Sequence, residues 1–458
     1  MNCIPLTPSF CAANGIVIDS YEDKSIFFGL INLNDTVLKN RIKKAYRSFQ
    51  CTFSEIDPEA FSIKLSRLYS EDTDTETNSL VSEIDPAAEN KIDRIADDAP
   101  AINLLNSIFL EALAARASDI HIESGPVDSS IRYRVDGLLE TAKTITRERA
   151  ASVSARLRIL ANLNVLENRR PQDGHMDIKT DDYSLDVRIS IVPTIWGESV
   201  VLRLLNRSDT PLGLDSLGFS ERHLVHLQDL LITSSGLVLV TGPTGSGKTT
   251  TLAAILKELR IRNSKIISIE DPVEYRIDGI TQIQVHEELD LTFESVLRRI
   301  FRQDPDIIMI GEIRDIETAE LAIRAALTGH LVFATLHTNN AVEAIYRLQN
   351  MGIPGFMAAS VLKMIITQRL IRKICPRCNN AGCPHCANTG YCGRTVIAEI
   401  ISIDKTLQSI IADGANNDQL ESWLKKINHR TLLDDAREKV FMGISTEQEI
   451  RRELGGSH

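Results

Sequence analysis

Ser235-Gly-Leu-Val-Leu-Val-Thr241 runs directly into Gly242-Pro-Thr-Gly-Ser-Gly-Lys248-Thr249, and these two pieces decide the fold. The first is a short apolar run of strand character. The second matches GxxxxGK[ST], and Thr250 onward has the spacing of a helix, so the motif stands in the strand, loop, helix context that a phosphate-binding loop requires. Gly242, Pro243, Thr244, Gly245, Ser246 and Gly247 let the backbone curl until its N–H groups face phosphate, and the helix N-terminus adds its positive end. Lys248 is expected to reach the β- and γ-phosphates of ATP, and Thr249 to offer its hydroxyl to Mg²⁺.

Working outward, residues from about 212 to 370 alternate apolar strands with helices, the pattern of an α/β core with a parallel sheet and helices on both faces. In such a sheet the carboxyl ends of the strands line the ligand crevice. Two strands end in acids there: Lys265-Ile-Ile-Ser-Ile269 in Glu270, and Ile307-Ile-Met-Ile310 in Gly311-Glu312. Glu312 is the first choice for the carboxylate that positions or deprotonates the attacking water, and Glu270 the second, acting on Mg²⁺ or its waters. Asp306, beside Pro305 at the start of a strand, reads as a turn residue. His330 and His337 bracket the strand Leu331-Val-Phe-Ala334 and are candidates for hydrogen bonding to the γ-phosphate.

The rest of the chain divides into segments of distinct character. Residues 1–69 read as a small mixed α/β domain, and residues 70–98, rich in acids and poor in large apolar side chains, as a flexible linker. An α+β lobe follows over 99–207, then the ATPase core at 208–371, a cysteine arm at 372–393 and a helical region at 394–458. Five of the eight cysteines fall between Cys375 and Cys392. Cys375, Cys378, Cys383 and Cys386 form two CxxC pairs, a set suited to tetrahedral Zn²⁺, whereas His385 and Cys392 read as bystanders.

Of 458 residues, 43% are hydrophobic and 25% charged, which excludes disorder as the main state. No run approaches the roughly 18 apolar residues of a membrane span, and no export signal is seen, so a cytoplasmic protein is expected. The net charge of −11 gives no general attraction to phosphate backbones, and nucleic acid is not an expected partner.

Residues 99–458 resemble the hexameric ATPases of type II secretion and type IV pilus assembly. The resemblance is carried by Ala117-Ser-Asp-Ile-His-Ile-Glu123, Arg132-Tyr-Arg-Val-Asp-Gly137, Arg170-Pro-Gln-Asp-Gly174, the phosphate loop, Glu270-Asp-Pro-Val-Glu-Tyr275, Arg302 through Asp315, and Thr328 through Thr338. It implies a RecA-like ATPase lobe preceded by a second lobe, with protomers joined in a homo-hexamer. It makes Glu312 the Walker B glutamate, assigns Glu270 to the Asp box and His330 and His337 to the His box, and places Arg188 and Arg203 toward nucleotide. Where the family commonly has arginine after Gln172-Asp-Gly174, this chain has His175. The tetracysteine arm has a shorter spacer between its pairs than is usual. Residues 1–69 look like the domain that docks such motors on an inner-membrane platform protein, and they lack the RLGxxL-type repeats that take cyclic di-GMP. The implied function is a motor for pseudopilus assembly and protein export, peripheral at the cytoplasmic face of the inner membrane. A type IV pilus assembly ATPase is the alternative, and a nucleic-acid translocase the less favoured reading from another class.

Overall fold

The computed structural model describes residues 16–22, 25–31 and 50–57, isolated positions between and just after them, and residues 99–179, 184–206, 213–414 and 416–455. The chain divides into two compact units on either side of residues 87 and 88, each described by itself. The linker expected at 70–98 lies outside the described residues, as does much of 1–69.

In the first unit β1 (Ile16–Glu22) and β2 (Ser25–Leu30) pair antiparallel, and β3 (Gln50–Glu55) pairs parallel to β2. Phe28 is buried at their centre, with Tyr46 edge-on and Phe53 stacked against its ring.

The second unit opens with α1 (Ala99–Ala114), β4 (Ala117–Ser124), β5 (Asp128–Val135), β6 (Leu138–Thr146), α2 (Arg147–Leu160), β7 (Gln172–Lys179), β8 (Ser184–Thr194) and β9 (Gly197–Asn206). The strands form an antiparallel six-stranded sheet in the order β6-β5-β4-β9-β8-β7. Ile108 and Ala112 of α1 and Val153 and Leu157 of α2 pack into one core with alternate residues of the strands, such as Ile120, Ile122, Val187 and Ile189. Arg158, buried on α2, holds Glu198 with two hydrogen bonds of 3.0 and 2.6 Å, closing the end of the β8–β9 hairpin onto the helix.

The ATPase lobe comprises α3 (Glu221–Ile232), β10 (Gly236–Thr241), α4 (Lys248–Leu259), β11 (Ile266–Glu270), β12 (Thr281–Gln284), α5 (Phe293–Ile300), β13 (Ile307–Ile310), α6 (Ile316–Leu327), β14 (Leu331–Leu336), α7 (Ala341–Asn350), α8 (Gly355–Val361), β15 (Leu362–Ile374), β16 (Tyr391–Ser402), α9 (Lys405–Ala412), α10 (Asn417–Lys426), α11 (Leu432–Phe441) and α12 (Glu447–Leu454). Its seven-stranded sheet has the order β12-β11-β13-β14-β10-β15-β16, parallel except at the last pair. Both faces are covered, which is why the strands are continuous apolar runs. Leu237 and Leu239 of β10 point to the face under α5 to α9, while Val238 and Val240 point to the face under α3 and α4.

Two segment boundaries differ from the sequence expectation. The sheet does not end at 371, since β15 continues to Ile374, and the region 394–458 is not helical throughout, since β16 occupies it as far as Ser402. The cause is the β-branched run from Thr395 to Ile401, which pairs with β15 and is buried on both faces. The cysteine arm is therefore the tip of a long hairpin that belongs to the ATPase sheet.

Glu449 on α12 fastens the C-terminal helices to this hairpin. Burial opposes its charge, but Arg372 and Arg452 donate to both carboxylate oxygens at 2.7 to 3.1 Å and hold its pKa down to about 2. A carboxyl depressed in the folded state contributes stability above its unfolded pKa, about 4.3, and loses it as pH falls from there toward 2. Glu449→Gln should therefore cost about 2–4 kcal/mol at pH 7. Urea denaturation of both proteins along a pH series should show the gap closing below about pH 4.

Candidate functional site

The phosphate loop leaves the carboxyl end of β10, in the middle of the sheet, and its last glycine caps α4. Gly247 has φ 87° and Gly242 φ 146°. A Cβ on Gly242 would lie 2.4 Å from the Gln368 carbonyl oxygen, so only glycine lets the loop pass this close to β15. Gln368, fully buried on β15, donates through Nε2 to the Ser246 carbonyl at 2.8 Å, and Thr367 and Thr241 share a 2.9 Å hydroxyl contact just below. This brace is invisible in the motif. Lys248 is buried and donates to the carbonyls of Gly242 and Pro243 at 2.8 and 3.1 Å. Burial lowers its pKa, and the charges of Glu312 and Glu274 partly offset that. Ser246 Oγ is buried inside the loop without a partner, a free hydroxyl in a ring of backbone donors suited to phosphate. Thr249 follows Lys248 on the first turn of α4 and is half-buried.

Glu270 and Glu312 stand at the ends of neighbouring strands. Glu270 is buried, and its Oε1 accepts from Ser268 at 2.7 Å and from Gln282 at 2.9 Å; burial raises its pKa. Glu312 is more accessible. His337 Nε2 lies 3.2 Å from its Oε2, and Arg314 pairs with its other oxygen while also reaching Asp271 at 3.4 Å. Asp306 accepts from the Lys265 backbone N–H at 2.7 Å, as a residue at the start of a strand does.

The two histidines part company. His337 follows the carboxyl end of β14, on the Glu312 side. His330 precedes the amino end, where its Nδ1 lies 2.9 Å from the Ala325 carbonyl and 3.0 Å from the Thr328 hydroxyl, with Phe301 against the ring. The intervening strand, Leu331–Leu336, places His330 at the opposite end of the sheet from the phosphate loop, so of the two histidines only His337 stands on the loop's side within this chain.

Across from the Asp box, the first lobe contributes a row in register on adjacent strands: His175 opposite Arg188, Arg188 opposite Arg203, Arg203 opposite Asp119. Arg188 is half-buried and donates to the Val273 carbonyl at 3.3 Å, with burial lowering its pKa and Asp186 and Glu274 raising it. Arg203 is turned to Asp119 at 3.0 Å. His175, Arg188 and Arg203 together with Pro272, Glu274 and Tyr275 line a cleft of about 770 Å³ between the lobes. Tyr275 shares a 3.1 Å hydroxyl contact with Thr250, so the cleft abuts the start of α4.

The sulfurs of Cys375, Cys378, Cys383 and Cys386 all lie within 4.8 Å of one another. Contacts of 3.9, 3.7 and 3.7 Å match the roughly 3.8 Å edge of a ZnS₄ tetrahedron with Zn–S bonds near 2.3 Å. The Cys386 sulfur also accepts from the backbone N–H groups of Cys383 and Gly390 at 3.3 Å, as a thiolate ligand does. Cys392 lies outside this set, 3.6 Å from His385.

Residues 94–452 match the family described as type II/IV secretion system protein. The chain is 44% identical over 364 residues to the type II secretion system protein HxcR of Pseudomonas aeruginosa, covering 78% of each. It is 37% identical over 486 residues to the type II secretion system ATPase E of Vibrio cholerae, covering 97% of this chain and 95% of that one. Among solved structures, the pilus retraction motor PilT with bound ADP superposes with a TM-score of 0.55 at 29% identity, over 75% of this chain and 95% of PilT.

Metal analysis of the purified chain should find one zinc. Replacing Cys375 and Cys378 by Ser should remove it while fluorescent ATP analogues still bind with unchanged affinity, since the thiols stand beyond the far end of β15 from the phosphate loop.

Proposed function

The chain belongs to the type II/IV secretion system protein family and is an ATPase, and from that premise we propose that it works as a homo-hexameric motor of type II secretion, turning ATP hydrolysis into pseudopilus assembly and protein export. The observation that carries this reading is the convergence of Lys248, Glu312 and His337 at the carboxyl ends of the central strands, together with a separate cleft in which Arg188 and Arg203 of the other lobe stand across from Pro272 to Arg276.

ATP enters with its phosphates on the loop N–H groups of residues 242–249. Lys248 exchanges the Gly242 and Pro243 carbonyls for the β- and γ-phosphate oxygens, a switch favoured because a buried ammonium gains an anion. Thr249 is the residue to hold magnesium, with Glu270 acting on its waters; the ion would neutralise charge on the phosphates. Glu312 positions the attacking water and takes its proton, while His337 and Arg314 fix the carboxylate's direction. Arg188, released from Val273 as the lobes close, and Arg203, released from Asp119, bring positive charge to the transferring phosphoryl group. Cys375, Cys378, Cys383 and Cys386 would hold zinc at the tip of the β15–β16 hairpin, where four shared ligands would stiffen it.

Residues 1–69 dock the motor on an inner-membrane platform protein, which makes its membrane association indirect. No helix among the described residues is long and apolar enough to cross a membrane. The acidic segment 70–98 tethers the two.

Lys248→Ala should abolish hydrolysis. Glu312→Gln should keep ATP binding and slow turnover by on the order of a hundredfold; a normal rate in that variant would transfer the catalytic role to Glu270. Deleting residues 1–98 should leave ATPase activity in the remaining lobes and abolish recruitment to membranes in cells. Fractionation decides this: a truncated motor that sediments with membranes as before would put docking in the lobes themselves.

A further inference from the structure

A second cavity, of about 510 Å³, opens away from the nucleotide cleft, between the segment that follows His337 and the helices α10 to α12. Its volume is that of a small-molecule site. The walls are apolar: Val342, Leu424, Leu432, Leu433, Ile450 and Leu454. A carboxylate, Glu399 of β16, also lines it. That residue is only 7% exposed, and among the described residues no hydrogen bond reaches its side-chain oxygens. Its ion-pair partner is His429, which also lines the cavity and whose Nε2 lies 3.2 Å from Glu399 Oε1. One imidazole is a sparse set of partners for a carboxylate this deep, and no donor among the described residues reaches its other oxygen. Here it opens on a space large enough to admit one.

The mouth has the opposite character. Lys425, Arg437 and Arg451 stand there with Glu421 and Glu447, and Lys425 is paired with Glu421 at 4.0 Å. Arg437 and Arg451 are left to outweigh Glu447. The polarity along the cavity is therefore negative inside, apolar between and positive outside. We infer that the cavity is a binding site for a zwitterionic small molecule whose guanidinium or ammonium head pairs with Glu399, whose stem lies on Leu424, Leu432 and Leu454, and whose acidic group meets Arg437 and Arg451. A guanidinium suits Glu399 best, since it presents paired N–H donors to both carboxylate oxygens.

Titration calorimetry of the full chain with L-arginine, with agmatine, which lacks the carboxylate, and with norvaline, which lacks the guanidinium, tests this. Arginine should bind saturably at one per chain. Agmatine should bind at least tenfold more weakly and norvaline not detectably. Glu399→Gln should weaken arginine binding at least tenfold. Should that variant fold poorly, Leu454→Trp at the mouth should abolish binding by filling the cavity, and Arg451→Ala on the exposed face of α12 should bring arginine down toward the affinity of agmatine. No saturable heat with arginine, equal affinity for agmatine, or binding indifferent to Leu454→Trp would each overturn the assignment.

Discussion

A buried ammonium sets the terms for the rest of this molecule. Lys248 needs acceptors wherever it points, and in the absence of phosphate the carbonyls of Gly242 and Pro243 supply them. Those carbonyls are available only because the loop is wound tightly enough to turn back on itself, which demands glycine at its ends and a neighbouring strand to lean on. β15 meets that need through Gln368, and the parallel strands on the other side bring Glu312 and Glu274 within electrostatic reach of Lys248. Loop, brace and acids are one arrangement around a cation that phosphate can capture.

The two carboxylates at the crevice differ in what surrounds them. Glu270 has one oxygen held by Ser268 and Gln282, and burial favours its protonated form, so it is better suited to hold an orientation than to take a proton. Glu312 is steered from two sides by an imidazole and a guanidinium that leave it partly accessible. Across the cleft, the arginines are likewise parked on protein acceptors. Arg188 is held by a carbonyl, which a more highly charged phosphate oxygen can outcompete, whereas Arg203 is held by the Asp119 carboxylate, the stronger hold of the two.

Much of this was legible in the sequence because it rests on local chemistry. A strand, a glycine loop and a helix in succession specify a phosphate site without further information, and four thiols in two CxxC pairs specify a tetrahedron. What escaped was whatever depends on contacts between distant segments. Gln368 carries no motif, and Asp119, although it sits inside the Ala117–Glu123 motif, gains no role from it; both roles appear only when β15 lies beside the loop and β4 beside β9. The two histidines show a different failing. Their shared surroundings in the sequence suggested a shared task, yet a six-residue strand between them spans about 17–20 Å and sends them to opposite ends. Strand β16 was missed because a run of β-branched residues after a metal-binding loop gives no sign of whether it has a sheet to join.

The long hairpin that carries the cysteines also links the phosphate loop to the first lobe. Gln368 lies on β15 and Cys375 directly after its last residue, roughly 23 Å apart at the usual rise, and the cross-strand ladder from Met364 to Ile374 makes the two strands a beam rather than a tether. One end of the beam bears on the phosphate loop. The other rests on the first lobe, where the Asp136 carboxylate accepts from the Gly393 backbone N–H at 2.8 Å. A tilt of one lobe against the other therefore loads the beam at its tip and is felt at its root. The tetracysteine tip, far from the phosphate loop, stands at the loaded end of a lever.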